Sequence, residues 1–322
     1  MQRILVTGAA GQLGTELVSA LRQRYGSDAV LATDIREAPG EAGGPFQHLD
    51  VTDQEAVRCT VAAHEADTVF HLAAILSAAG ERSPSRTWNV NMSGLEAVLE
   101  AARSLGCAVF TPSSIAAFGA STPADPTPQD TIQRPSTMYG ITKAAGELLC
   151  EYYHFRFGAD TRGLRYPGLI SYVTRPGGGT TDYAVDIYYA AIESGRYTCF
   201  LAPDTRLDML YMPDAIQAAI QLMETDPGRL VHRNAFNVTA MQVTPSEIAA
   251  AIQTHMPEFE IEYDVDPVRQ AIAESWPRRL DDSAARSEWG WSPVYDLESM
   301  TADMLAKLTA KLQASPVSEQ SR

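Results

Sequence analysis

A chain of 322 residues, 45% hydrophobic and 20% charged, is long enough for one large domain or two linked ones around a substantial buried core. Its 25 Lys and Arg against 40 Asp and Glu leave a formal net charge of −15 at pH 7, which speaks against nucleic acid or an acidic membrane surface as partner and for plain solubility. The four cysteines (Cys59, Cys107, Cys150, Cys199) form no Cys-x-x-Cys and the six histidines no His-Glu-x-x-His, so no metal is expected and a reducing compartment fits.

Met1 to Val6 run straight into a strand pattern with no room for a targeting segment, and no apolar run approaches the ~18 residues of a membrane span, so the expected location is the cytoplasm. Ile4 to Thr7 read as a strand that stops at Gly8-Ala9-Ala10-Gly11-Gln12-Leu13-Gly14 and continues as a helix with Leu13, Leu17, Val18 and Leu21 on one face. Free N–H groups and the dipole of a helix N-terminus attract a pyrophosphate, and glycines let it approach the backbone, so this order of strand, turn and helix points to a dinucleotide. The next strand, Ala29 to Thr33, ends at Asp34, whose carboxylate suits two ribose hydroxyls and repels a 2′-phosphate. NAD is therefore expected over NADP, although Arg36 nearby could rescue a phosphate and Asp34 could simply cap a turn.

Asp50 lies at a strand end, and Asp53 is placed to cap a helix over 54–63. Asp67 to Ala74 form an almost wholly apolar strand suited to the middle of a parallel sheet, with Ala73 and Ala74 small enough for a cofactor to lie on the backbone. His71 reads as a satisfied core histidine. A long helix is expected from Asn89 to about Leu105, from which Asn91 could brace the sheet. Cys107 to Thr111 form the next strand, and Ser113 and Ser114 follow at its carboxyl end, the edge where parallel sheets bind ligands. The Pro- and Thr-rich segment 120–137 is long enough to be a lid.

Tyr139 and Lys143 then fall on one face of a helix, about 6 Å apart along its axis. A phenol is a poor base at neutral pH unless a fixed cation favours its anion, and a serine that holds the reacting oxygen completes a device for taking a proton from an alcohol. Ser114 occupies that place best. Thr161 to Tyr166 form another strand; the glycine-rich stretch 175–183 is substrate-facing structure or an ordinary surface loop. Asp208 to Asp214 read as a strand feeding a helix that together return to the first domain, and Thr244-Pro245-Ser246-Glu247 starts a helix with a capping box. Trp276 is either packing or substrate-facing, and the last residues, 315–322, are expected to be a disordered tail.

With the glycine turn, Asp34, Asn91, Ser114, Tyr139 and Lys143 in hand, the chain resembles the extended short-chain dehydrogenase/reductase superfamily from Arg3 to Leu312. More narrowly it resembles the short-chain L-threonine 3-dehydrogenases, in the stretches 111–119, 132–140, 165–170 and 176–184. Sugar-nucleotide enzymes of the superfamily carry an asparagine after the aromatic that ends the strand, whereas here Tyr166 runs directly into Pro167-Gly168. A nucleotide-sugar epimerase, dehydratase or reductase is therefore the second reading, and a non-catalytic NAD sensor the third.

The resemblance implies an α/β Rossmann-type doubly wound parallel sheet in residues 1–170, rejoined by 205–240, with a smaller substrate domain from 171–204 and 241–314. It implies oxidation of L-threonine at C3 to 2-amino-3-oxobutyrate, with Tyr139 as base, Ser114 orienting the substrate oxygen, and Lys143 holding the nicotinamide ribose and lowering the tyrosine pKa. NAD would meet Gly8, Gly11, Gln12, Leu13, Gly14, Asp34, Arg36, Asp50, Val51, Leu72, Ala73, Ala74, Asn91, Tyr139, Lys143 and Leu169. Ser77, Thr180, Thr181 and Trp276, beside Ser114 and Tyr139, are the candidates for the substrate. A homodimer through two long helices is expected by analogy.

Overall fold

The computed structural model describes residues 1–37, 43–175 and 179–314. The expected tail and the centre of the glycine-rich loop lie outside the described residues.

Strand β1 (Ile4–Thr7) is wholly buried, and the chain turns at Gly8 into helix α1 (Gln12–Tyr25). Strands β2 (Val30–Asp34) and β3 (Phe46–His48) follow, then α2 (Gln54–Ala63), whose Asp53 cap accepts from the Ala56 N–H as its position in the sequence implies. The apolar run after Asp67 pairs only as β4 (Thr68–His71). Leu72 to Ala74 leave the sheet and lead to two short helices, α3 (Ser77–Arg82) and α4 (Pro84–Trp88).

The long helix expected from Asn89 is present, but it begins earlier, at Pro84, and is not regular throughout. Residues Asn89–Ser93 form a π turn, and the regular helix α5 runs from Gly94 to Leu105. The π turn has a visible purpose: it turns Asn91 inward, where Oδ1 accepts from the Ile75 N–H (2.8 Å) and Nδ2 donates to the Ile75 carbonyl (3.1 Å) and Thr142 Oγ1 (3.0 Å).

Strand β5 (Ala108–Ser114) runs to the serines, and helix α6 (Met138–Phe157) is capped by Thr137 at one end and by left-handed Gly158 at the other. Strand β6 (Thr161–Tyr166) completes this half of the sheet, and β7 (Gly168–Ile170), α7 (Tyr183–Ser194) and β8 (Arg196–Cys199) begin the second part. The remaining elements are β9 (Leu207–Tyr211), α8 (Met212–Glu224), β10 (Phe236–Asn237), β11 (Met241–Val243), α9 (Pro245–His255), β12 (Glu260–Tyr263), α10 (Pro267–Glu274), α11 (Ser283–Trp289) and α12 (Leu297–Ala314). The capping box on α9 is complete.

The main sheet has seven parallel strands in the order β10-β6-β5-β4-β1-β2-β3. One face is covered by α1 and α8 with Leu17, Leu21, Ile216 and Ile220, the other by α2, α5 and α6 with Val57, Val98 and Cys150. A third apolar cluster joins α7, α9, α12, β7 and β9 and takes in Trp276. The strand order reverses between β1 and β4, and a parallel sheet binds its ligand in the crevice at the carboxyl ends of strands at that reversal.

One expectation changes. Segment 205–240 is split: α8 packs on the main sheet and β10 extends it, but β9 lies between β7 and β11 in a separate three-stranded sheet. The apolar residues of β9 divide between the two cores, with Leu207, Met209 and Tyr211 in the third cluster and Leu210 under the main sheet, a division invisible in one dimension. Segment 120–137, long enough to be a lid, is tied to the rest of the chain at Thr127 and Gln129 and closed on itself at Thr122. Thr122 Oγ1 donates to the Ile132 carbonyl (2.7 Å), Thr127 N to the Arg279 carbonyl (2.8 Å), and Gln129 Nε2 to the Ala235 carbonyl (3.0 Å).

Candidate active site

At the β1/β4 reversal the glycine turn closes on itself. Gly8 has φ +68°, and a Cβ there would lie 2.6 Å from the Ala73 nitrogen. At Gly14 it would overlap the Gly8 carbonyl oxygen and come within 2.8 Å of Ala9 Cα. These glycines serve the chain's own turn as well as any ligand. The N-terminus of α1 above them has neither a side-chain cap nor an acidic residue in its first turn, so its partial positive charge is left for a bound anion. Gln12 Nε2 is buried with no hydrogen-bond partner among the described residues, a donor in want of an acceptor. A pyrophosphate supplies both.

Asp34, 5% exposed, accepts from the Ala10 N–H (3.0 Å) and is gripped by Arg36, through Nε on one oxygen and Nη2 on the other, both at 3.2 Å. Burial opposes its charge, but the bonds from Arg36 and Ala10 outweigh burial and hold the carboxyl below the usual range. Ribose hydroxyls must share or displace Arg36, whose guanidinium is the exposed half of the pair and can turn to solvent. Asp50 is engaged in its own turn with Thr52 (2.9 Å to the N–H), and the Val51 side chain is core, packed beneath Gly94. Leu72 is half-buried just past the end of β4, and Leu169 is half-buried in the middle of β7; Ala73 and Ala74 line a cavity of about 30 Å³ that also reaches His71, Asn91, Ser113, Lys143 and Glu147.

His71 shares a hydrogen bond with Thr7 (2.9 Å), and burial, then the charge of Lys143, push its pKa down to about 3, so it is a neutral core residue. Lys143 Nζ donates to the Pro112 carbonyl (2.7 Å) and stands 5.5 Å from the centroid of the Tyr139 ring. Lys143 is thus held beside the Tyr139 ring. Burial pushes the phenol up to about 12, and the group that draws it down is the Ser114 hydroxyl. Burial also pulls Lys143 down, to about 8, against the negative charge of Glu147.

Tyr139, Lys143 and Ser114 are therefore brought together. The substrate candidates are more dispersed. Ser77 opens α3, Thr180 is buried, and the Thr181 methyl group packs beside Gly168. Trp276, 8% exposed, is part of the apolar cluster against which Tyr139 packs. Sequence reasoning passed over Glu147, which ion-pairs with Arg165 (2.8 Å) with both side chains under 10% exposed. The signal was present: Glu147 stands one helical step beyond Lys143 on the same face as Tyr139.

A model of the NAD dependent epimerase/dehydratase family matches residues 4–238. An uncharacterized epimerase/dehydratase of Staphylococcus haemolyticus is 56% identical over 97% of this chain and 99% of its own length. Among solved structures, an L-threonine dehydrogenase from Clostridium difficile superposes with a TM-score of 0.95 at 55% identity, over 97% of this chain and 98% of that one. The holo form of an L-threonine dehydrogenase from Cupriavidus necator gives 0.93 at 50% identity, over 95% and 99%.

Proposed function

The chain belongs to the NAD dependent epimerase/dehydratase family, and from that premise we propose that it oxidises L-threonine at C3 to 2-amino-3-oxobutyrate. NAD is its cofactor, and the bare N-terminus of α1, the partnerless Gln12 amide and the buried Asp34 are the groups that fit it. The observation that carries the reading is the meeting of Ser114, Tyr139 and Lys143 at the crevice edge, in a chain about half identical, over nearly its full length, to two L-threonine dehydrogenases.

When bound, NAD supplies the acceptor for the hydride that leaves C3. Tyr139 Oη takes the proton of the C3 hydroxyl, and Ser114 Oγ holds that oxygen as the C–O bond becomes a carbonyl. Lys143 holds the nicotinamide ribose and provides the cation that favours the phenolate. With the phenol at about 12, Tyr139 is protonated in the chain alone at neutral pH, so its activation belongs to the assembled complex. Ser77, Thr180, Thr181 and Trp276 are the proposed surroundings of the amino and carboxylate groups.

Residues 1–167 with α8 and β10 form the proposed cofactor domain; β7 and β9, which pair in the smaller sheet, are assigned to the substrate domain, with 171–204 and 241–314. We also propose a homodimer through α6, where Leu148, Tyr152 and Phe155 are exposed at helical spacing (62%, 53% and 77%), an apolar stripe that a second copy would cover. Light scattering tests this; a monomer at all concentrations rejects it. Among the described residues, no helix is long and apolar enough to cross a membrane.

The functional test is direct. Purified protein with NAD and L-threonine is expected to produce NADH. No turnover, with conversion of a uridine or thymidine diphosphate sugar instead, would overturn the reading in favour of the nucleotide-sugar alternative.

A further inference from the structure

Tyr139, Lys143 and Glu147 follow one another at four-residue steps along α6, and each meets a different one of three consecutive residues on β5. Ser114 faces the Tyr139 phenol, the Pro112 carbonyl accepts from Lys143 Nζ (2.7 Å), and the Ser113 hydroxyl donates to Glu147 Oε1. Glu147 is also the hub of a buried polar network. Its Oε2 accepts from Arg165 Nη2 (2.8 Å) and Gln133 Nε2 (2.6 Å). Arg165 Nη1 in turn donates to the Gln129 carbonyl (2.7 Å) and Asn237 Oδ1 (3.1 Å). Segment 120–137, β5, β6, β10 and α6 thus converge on the Glu147–Arg165 pair.

We propose that Glu147 is a positioning residue for the reaction: it seats the serine end of β5 against α6 and, across the cavity both side chains line, keeps the Lys143 ammonium charged. This rests on the reading of Lys143 as the group that holds the cofactor ribose. The other groups facing Lys143 do less, Cys150 being the one that acts in the same direction. Tyr139 and Cys150 on α6 are held protonated, each with a pKa pushed up to about 12 by burial, and His71 on β4 is neutral. From α5 and its π turn come only uncharged Leu95 and Asn91, and Arg165 on β6 stands behind Glu147 with the opposite sign. Burial alone strips charge from Lys143, and Glu147 is the main group opposing it. A carboxylate and a guanidinium on the same ammonium must then act with opposite signs.

The test is NADH binding by fluorescence from pH 6 to pH 10 for the wild type, Glu147→Gln and Arg165→Gln, with circular dichroism to verify folding. Wild-type affinity is expected to weaken above about pH 8, where Lys143 loses its charge. Glu147→Gln keeps length and an acceptor for Arg165 and Ser113, and its weakening is expected to begin about one pH unit lower, a tenfold effect. Arg165→Gln is expected to move the onset upward. A purely structural role weakens both variants without moving the onset, or moves both the same way, and either result overturns the proposal. If Glu147→Gln does not fold, Arg165→Gln decides: an upward shift supports the proposal, and an unmoved or lowered onset overturns it. Turnover of L-threonine by the wild type is measured alongside. Its absence would sink the substrate assignment, whereas the binding curves, which need no substrate, report on Glu147.

Discussion

Replacing Asn91 with alanine isolates what the π turn contributes. The side chain makes three hydrogen bonds, to both backbone groups of Ile75 and to Thr142, and so ties the segment between β4 and α3 to α6. Each is worth about 1 kcal/mol net, and the part-buried Ile75 groups are left to find water, so the loss is about 3 kcal/mol. For a chain of this size that is roughly a 4 °C fall in melting temperature. The same segment carries Leu72, Ala73 and Ala74 toward the crevice and Ser77 into α3, so turnover should fall further than stability accounts for. Thermal unfolding is followed by fluorescence, and kcat and KM are measured well below the melting temperature. A melting temperature within a degree of wild type, together with unchanged kcat, would show that Asn91 braces nothing, and the π turn would then have no explanation.

Four further outcomes are expected. Tyr139→Phe keeps the ring in its apolar seat but loses the proton acceptor: turnover falls on the order of a thousandfold while NADH binding, read by fluorescence, stays near wild type. Gly14→Ala loses NADH binding in the same titration, because the overlap with the Gly8 carbonyl outweighs the roughly 1 kcal/mol that alanine offers inside a helix. Arg36→Ala removes the side-chain bonds to the buried Asp34 carboxylate and leaves the backbone ones, and NAD affinity by calorimetry should change less than about fivefold, because ribose hydroxyls replace the guanidinium as donors. Asp208 is a buried acid whose pKa burial raises to about 7 despite bonds from Thr239, Leu280 and Gln242. The folded chain holds that proton more tightly than the unfolded one, so the stability it adds is full below about pH 4 and is lost as pH rises through 7. Urea unfolding of wild type and Asp208→Asn at pH 5 and pH 8 should show the wild type losing stability relative to the variant at the higher pH. A constant difference would contradict the assignment.

The local signals in this chain translate directly into structure because they are short-range. Strand, glycine turn and helix at the N-terminus, the Asp53 cap, the Thr244 capping box and the Tyr139–Lys143 spacing each depend on residues within a turn or two of one another. Backbone geometry allows such patterns few alternatives. The alternation of strands and helices likewise fixes the parallel sheet, since parallel neighbours need a crossover between them.

Packing decided what spacing along the chain could not express. Whether β9 joins the first sheet or another depends on which apolar clusters its two faces enter, and those clusters gather residues a hundred or more positions apart. The inward turn of Asn91 answers to Ile75 and Thr142, and the fastening of 120–137 to Ala235 and Arg279. Nor could the identity of the reacting residues set their protonation. Sequence placed Ser114, Tyr139 and Lys143 together, but burial, a property of the folded interior alone, holds the phenol protonated, weakens the ammonium and makes Glu147 matter.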